Sequence, residues 1–292
     1  MPTIRQQFLA TMMHYYPFYS GCGSIMNTPL LRAAAGSGEG LAWARLRCGG
    51  RLLVPLNDYV GRAAFYTGDL DPKLSWVCSR LVRRGDTVLD IGANLGLVTL
   101  RLSALVGSGG RVHAFEPNPL MIELLERSVQ RHHLQNVTVH PVALGEKEAE
   151  LDLHVPANHA GQASLRDKAR GERVRVPVKR LASIPDLPMN RPIRFMKIDV
   201  EGYEPEVLRG AEELLKNNPP QAIVFELNHF ESFMSHPTVQ ILASHGYAFF
   251  ALPKRWLRMR ATPADGMTNA PGHDFVAVHR GPNYEQMMRA LL

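Results

Sequence analysis

Between Gly85 and Gly246 the chain alternates two hydrophobic rhythms: short, nearly continuous apolar runs, and longer stretches in which apolar residues recur three or four positions apart. The first rhythm suits buried strands and the second amphipathic helices. The opening run is VLDIG, Val88 to Gly92, and the helix after it carries Val98, Leu102, Leu105 and Val106 on one side. RVHAF, Arg111 to Phe115, is the next strand. Asn118 then caps, and Pro119 opens, a helix with Met121, Leu124, Leu125 and Val129 in line. A strand beginning at Ile193 and another at Ala222 flank a helix that starts at Pro205 and buries Val207, Leu208, Ala211, Leu214 and Leu215. Such alternation predicts a doubly wound sheet with helices on both faces.

Residues 149 to 184 break that rhythm. AELDLHV and RVRVPVKRL alternate apolar and polar positions, which predicts a β-hairpin insert with Val174, Val176 and Val178 inward and Arg173, Arg175 and Lys179 outward. Its polar loop, Pro156 to Glu172, holds Asn158, His159, Gln162, Ser164 and Arg166, and either covers a bound substrate or is a solvated insert without a role. Ahead of the alternating region, Thr3 and Gln6 form a capping box for a short amphipathic helix with Ile4, Phe8 and Met12. The small-residue stretch Ala33 to Gly40 reads as a link, Arg47 to Tyr66 as a hairpin-like lead-in, and Asp71 with Pro72 starts a helix carrying Leu74, Val77, Cys78 and Leu81. The expected organisation is an N-terminal helical and hairpin lead-in over residues 1–84, and a main domain over 85–292 with the insert at about 149–184.

Composition narrows the class. With 292 residues, 45% hydrophobic and 21% charged, the chain can bury one large core. No stretch approaches the ~20 apolar residues a membrane-crossing helix needs. MPTIRQQFLATMMHYY has one basic residue and no small-residue cleavage pattern, so no secretory leader is expected. Cys22, Cys48 and Cys78 are widely spaced and read as reduced thiols of a cytoplasmic protein. A net charge of +6, with KRWLRMR at Lys254 to Arg260, raises nucleic acid as a partner, but one short cluster more simply forms a solvated edge.

Candidate chemistry gathers at the strand ends. Asp90 closes the first strand, and Gly92 and Gly96 let the backbone turn tightly toward a ligand at the N-terminus of the next helix. Asn94 stands where the nicotinamide-binding G-x-G-x-x-G pattern has its second glycine. Glu116 ends the second strand, 20 residues beyond Gly96, where a carboxylate can accept both hydroxyls of a ribose. The strand from Ile193 delivers Asp199 and Glu201 to its mouth, whereas Glu204 and Glu206 simply favour a helix N-terminus. Ala222 to Phe230 adds Glu226, Asn228 and His229, with His229 the histidine best placed for catalysis. Asp199 with Glu226 or Asn228 could bind Mg²⁺, but the spacing does not demand a metal and none is assigned. Asn218, Pro219 and Pro220 follow a helix and act as its stop rather than as a base-gripping loop.

VLDIGANLG, AFEPNP, VALGE at Val142 to Glu146, and KIDVEGYEPEVLRGA together resemble the FkbM-type family of S-adenosylmethionine-dependent methyltransferases over about residues 50 to 230. The resemblance implies a class I, Rossmann-like α/β fold whose mainly parallel seven-stranded sheet has one reversed edge strand. It also implies S-adenosylmethionine held at Asp90, Gly92, Asn94, Gly96 and Glu116. Asp199, Glu201 and His229 are then the candidate catalytic groups, as base or as partner of the cofactor's ammonium. The expected reaction is O-methylation of a hydroxyl on a sugar, polyketide or other natural product. N-methylation of a peptide side-chain amide is the alternative, methylation of nucleic acid a less favoured one, and a membrane is not an expected partner.

Overall fold

The computed structural model describes residues 2–19, 21–35, 38–157, 159–166, 171–185, 187, 191–227, 232–255, 258–266 and 272–292. Helices α1 (Ile4–Met13), α2 (Cys22–Met26) and α3 (Pro29–Ala35) lead to an antiparallel hairpin, β1 (Leu41–Arg45) and β2 (Arg51–Pro55). Helix α4 (Tyr59–Thr67) follows, its N-terminus capped by Asp58, whose carboxylate accepts the Gly61 N–H. The lead-in expected over residues 47–66 is therefore the second half of a hairpin followed by a helix. Helix α5 (Pro72–Leu81) has Asp71 as its cap.

The alternating region then unfolds as read: β3 (Thr87–Ile91), α6 (Leu97–Val106), β4 (Arg111–Phe115), α7 (Pro119–Arg131) and β5 (Val137–His140). Next come β6 (Ala143–Leu144), β7 (Ala149–Pro156) and β8 (Gly171–Lys179), a three-stranded sheet apart from the main one. β7 and β8 are the expected hairpin, and Val176 and Val178 are buried in it. The chain continues through β9 (Ile193–Ile198), α8 (Glu204–Gly210), α9 (Glu212–Asn217), β10 (Ala222–Glu226), α10 (Pro237–Ser244), β11 (Tyr247–Ala251), β12 (Thr262–Pro263), β13 (Asp274–His279) and α11 (Tyr284–Leu291). The single helix expected after Pro205 is thus two, joined at Ala211. α9 stops just before Asn218-Pro219-Pro220, as the sequence required.

The main sheet has the order β12-β11-β13-β10-β9-β3-β4-β5. Strands β5, β4, β3, β9 and β10 are mutually parallel, and β13 runs antiparallel to both β10 and β11. The seven expected strands are present, with the two-residue β12 as an eighth. Two strands are reversed: β13, last in sequence, inserts between β10 and β11, and the short edge strand β12 runs antiparallel to β11. Strand side chains alternate between two cores, with Leu89, Ile223 and Phe225 meeting α8, α9 and α10, and Val88, Ala222 and Val224 meeting α5, α6 and α11. A third cluster joins the N-terminal hairpin and α4 to α6 and α7, through Leu53, Ala64, Leu100 and Leu124. The Ser128 hydroxyl accepts the Leu53 N–H across this contact.

One helix is turned around. α1 keeps its capping box, yet Gln6, with Leu9, Ala10 and Met13, faces the core while Ile4, Phe8 and Met12 point outward. No helix among the described residues is long and apolar enough to cross a membrane.

Candidate active site

Register brings the site together. Asp90 pairs with Lys197 across β3 and β9, so the turns after the two strands lie side by side, and the Asp199 N–H donates to the Ile91 carbonyl at 3.1 Å. Phe225 of β10 pairs with Ile198, and Glu226 pairs with Asp274 of β13. Glu116 follows β4, whose Phe115 pairs with Ile91. The carboxyl ends of β3, β4, β9 and β10, with the amino end of reversed β13, therefore present Gly92, Glu116, Asp199, Glu226 and Asp274 along one edge. The chain winds one way from β3 to β5 and the other way from β9 to β10, and the crevice at such a reversal is where doubly wound sheets bind ligands. A cavity of about 910 Å³ opens there, at the upper end of the range for ligand pockets.

Glu116 is buried and faces the cavity. One carboxylate oxygen accepts the Asn94 N–H at 2.7 Å and the other the Asn118 N–H at 2.9 Å, which fixes the group while leaving each oxygen a second acceptor position. Burial raises its pKa to about 7, against those two hydrogen bonds and the Lys197 charge. Asn94 adopts φ +51°, and its side chain accepts the Leu95 N–H at 2.7 Å. Gly96 caps α6 without a side chain, so the first N–H groups of that helix remain free beside Leu97 and Val98 of the cavity wall.

Gly92, Asn94 and Glu116 line the cavity, whereas Asp90 and Gly96 stand behind its wall. β3 runs one residue past Asp90, so this acid does not close the strand. Its carboxylate is sealed in, accepting the Thr99 hydroxyl at 2.6 Å and pairing with Lys197 Nζ at 3.5 Å. The glycines also serve a purpose other than a close approach to a ligand. A Cβ on Gly92, which has φ +77°, would collide with the Asp199 carbonyl, and one on Gly96 would collide with Leu125.

Lys197 is the residue that sequence reading passed over. It is buried on a strand otherwise apolar but for Arg194, and its Nζ donates to the Gly92 carbonyl at 2.6 Å while pairing with Asp90 and, at 3.4 Å, with Asp199. Although burial works against its charge, the surrounding carboxylates hold its pKa above the ordinary lysine value. A charged side chain inside IRFMKI was the available signal, since a buried ammonium requires counter-charges.

Asp199 and Glu201 both line the cavity, as the motif implied. Asp199 is 41% exposed, and Glu201 sits in the left-handed region at φ +51°. Burial, then Asp199 and Glu204, push the Glu201 carboxyl up to about 7. Glu204 turns back to accept the Val200 and Gly202 N–H groups, the helix-end role expected of it. Glu226 is pushed up to about 8 by burial and by Asp199, Asp274, Glu201 and Asp71. Lys73 pairs with Asp274 and, at 3.8 Å, with Asp71 at the start of α5. No local pattern revealed that α5 and β13 would meet there. Asn228 and His229 lie outside the described residues.

Two segments roof the cavity. Tyr16, Tyr19, Ile25 and Tyr59 come from the N-terminal region, and His159, Gly161 and Gln162 from the loop between β7 and β8. His159 stacks on Tyr59 with ring centroids 4.5 Å apart. The Ser164 hydroxyl donates to the Glu201 carbonyl at 2.9 Å, and Arg166 Nη1 to the Gly202 carbonyl at 3.1 Å. The insert is thereby fastened to the turn that carries Glu201.

A mainly parallel sheet with β13 reversed inside it, a glycine turn after its first strand and an acid after its second define a class I S-adenosylmethionine-dependent methyltransferase. The model of the methyltransferase FkbM domain matches residues 90–249, more than half of the chain. The chain belongs to the FkbM methyltransferase family. It is 28% identical over 146 residues to Methyltransferase 1 of Beauveria bassiana, covering 43% of this chain and 58% of that protein. It is also 28% identical over 201 residues to 31-O-demethyl-FK506 methyltransferase FkbM of Streptomyces tacrolimicus, covering 58% and 75%. A solved structure of Methyltransferase FkbM from Methylobacillus flagellatus KT aligns with 19% identity and a TM-score of 0.41, over 66% of this chain and 43% of that one. The chain thus spans a little over half the length of the Beauveria relative.

Proposed function

We propose that the protein transfers a methyl group to a hydroxyl of a small natural-product acceptor, such as a sugar or polyketide, with Glu201 as the base. The observation that carries this reading is the Glu201 carboxyl itself. It is half-buried in the cavity and held near pH 7, the strength at which a general base is both deprotonated and able to take a hydroxyl proton. The Streptomyces relative is named for O-methylation, which supports a hydroxyl over an amide.

The chain's groups fit the cofactor. Glu116 keeps acceptor positions for the ribose hydroxyls, and Asn118 nearby has a buried amide nitrogen without a hydrogen-bond partner. The uncapped N-terminus of α6 would take a carboxylate, and Asp199, steadied by Lys197, an ammonium. S-adenosylmethionine supplies, when bound, a methyl on a sulfonium that is already a strong electrophile. What remains for the protein is to align the acceptor oxygen, exclude water beneath the N-terminal and insert roof, and hold the departing proton on Glu201. His229 and a cytoplasmic setting, the latter supported by free Cys22, Cys48 and Cys78, stay part of the proposal.

The test is a panel of hydroxyl and amide acceptors incubated with S-adenosylmethionine, with products located by mass spectrometry and NMR. An O-methyl product is expected, with kcat/KM rising to a plateau above pH about 7 and falling about 100-fold in Glu201→Gln with loss of that acid limb. An N-methyl product, or a pH profile unchanged by Glu201→Gln, would overturn the proposal.

A further inference from the structure

The outward stripe of α1 is at odds with the rest of the molecule. Ile4, Phe8 and Met12 are spaced four apart, so they form one line along the helix, and Tyr15 continues it just past the C-terminus. Ile4 is 87% and Phe8 67% exposed, with Met12 and Tyr15 similarly bare. α3 packs against α1 and adds Leu30, 79% exposed. Five of the eight exposed large apolar side chains among the described residues thus belong to one short segment, on the side of α1 away from Gln6, Leu9, Ala10 and Met13, which face the core. Isolated exposed apolar residues are ordinary, but a line of them on adjoining helices marks a surface that meets something.

Charge narrows what that is. Arg5 and Arg32 are exposed on the same two helices, and the first acid in the chain is Glu39. A twofold contact between copies through this face would set these arginines against their own kind with no carboxylate from the face to answer them. Apolar side chains flanked by cations, with no anion among them, are the features by which a helix lies on an anionic bilayer: the side chains enter the acyl boundary and the guanidinium groups meet headgroup phosphates. We propose that α1 and α3 form a peripheral docking surface for an anionic lipid membrane. The proposal departs from the expectation that no membrane is a partner, which rested on spanning segments; a helix lying in the interface needs none. The adjoining residues Tyr16, Tyr19 and Ile25 line the cavity, so the docked segment would form part of the active-site roof.

The full-length protein should co-sediment with phosphatidylcholine vesicles containing about 30% phosphatidylglycerol, much less with phosphatidylcholine alone, and be released by salt. Phe8→Ser combined with Met12→Ser should weaken the partition about tenfold or more. Arg5→Glu combined with Arg32→Glu should remove the preference for anionic vesicles. All four positions are exposed, and unchanged circular dichroism and S-adenosylhomocysteine binding would show that the variants fold. Absence of wild-type binding, or binding that neither double variant weakens, would overturn the proposal. So would a dimer in sedimentation velocity that Phe8→Ser with Met12→Ser dissociates, if the wild type ignores vesicles. None of these outcomes depends on which acceptor the enzyme methylates.

Discussion

Glu116 and Lys197 show how differently two buried charges are used. Glu116 is a ligand-facing group whose backbone partners keep it in place, and Glu116→Ala should weaken S-adenosylmethionine binding by about tenfold or more in calorimetry, because a carboxylate accepting two hydroxyls has no replacement there. Lys197 borders the cavity and neutralises Asp90. Lys197→Met would leave that carboxylate buried with only the Thr99 hydroxyl, and chemical denaturation should register a loss of about 3–5 kcal/mol. Glu116 was legible in the sequence because it follows an apolar strand at a telling distance from a glycine turn. Lys197 was hidden because a lone lysine in a strand more often marks an edge, and only the pairing of β9 with β3 sets it beside Asp90.

Among the elements, the turn after β3 and the turn after β9 act as one unit. Gly92 gives up its side chain so that the Asp199 carbonyl can lie against it, and Lys197 ties the Gly92 carbonyl to the Asp199 carboxylate. Gly92→Ala forces a Cβ into both a left-handed conformation and an occupied space. It should cost about 2 kcal/mol or more of unfolding stability and also lower cofactor affinity, measurable by thermal unfolding with and without S-adenosylhomocysteine. The two motifs, VLDIGANLG and KIDVEG, were each visible in the sequence and expected to meet at one cofactor; the backbone and lysine contacts that join them were not visible. The insert follows the same logic: the alternation of AELDLHV and RVRVPVKRL predicted a hairpin, while the bonds from Ser164 and Arg166 to the Glu201 turn, which decide that it covers the cavity, arise from docking alone.

Across the whole molecule, the cavity concentrates carboxylates from elements far apart in the chain: Asp71, Asp199, Glu201, Glu226 and Asp274. Glu226 bears most of the consequence, with its pKa raised to about 8 from the ordinary value of about 4.3. Between those two pH values the folded state holds a proton that the unfolded chain has released, so the contribution of Glu226 to stability is greatest below pH about 4 and is lost as pH rises through about 8. Glu226→Gln should therefore raise the ligand-free protein's Tm only slightly at pH 5 and much more at pH 9, in thermal scans at fixed ionic strength. A lower Tm at pH 9 would show that the charges are already compensated.

Much was settled by the order of residues alone. Apolar runs long enough for strands, spaced stretches that only a helix can bury on one side, and capping residues such as Asn118 and Asp71 set the doubly wound plan and the cofactor edge, because each depends on neighbours a few positions away. Tertiary packing decided what local periodicity cannot encode. It placed the last strand, β13, inside the sheet, where Asp274 meets Glu226 and Lys73. It withdrew Asp90 from the cavity into the keeping of Lys197, and it turned α1 so that Gln6 faces in and Phe8 faces out. An apolar stripe shows that a helix has two sides, but only the rest of the molecule determines which of them meets the core.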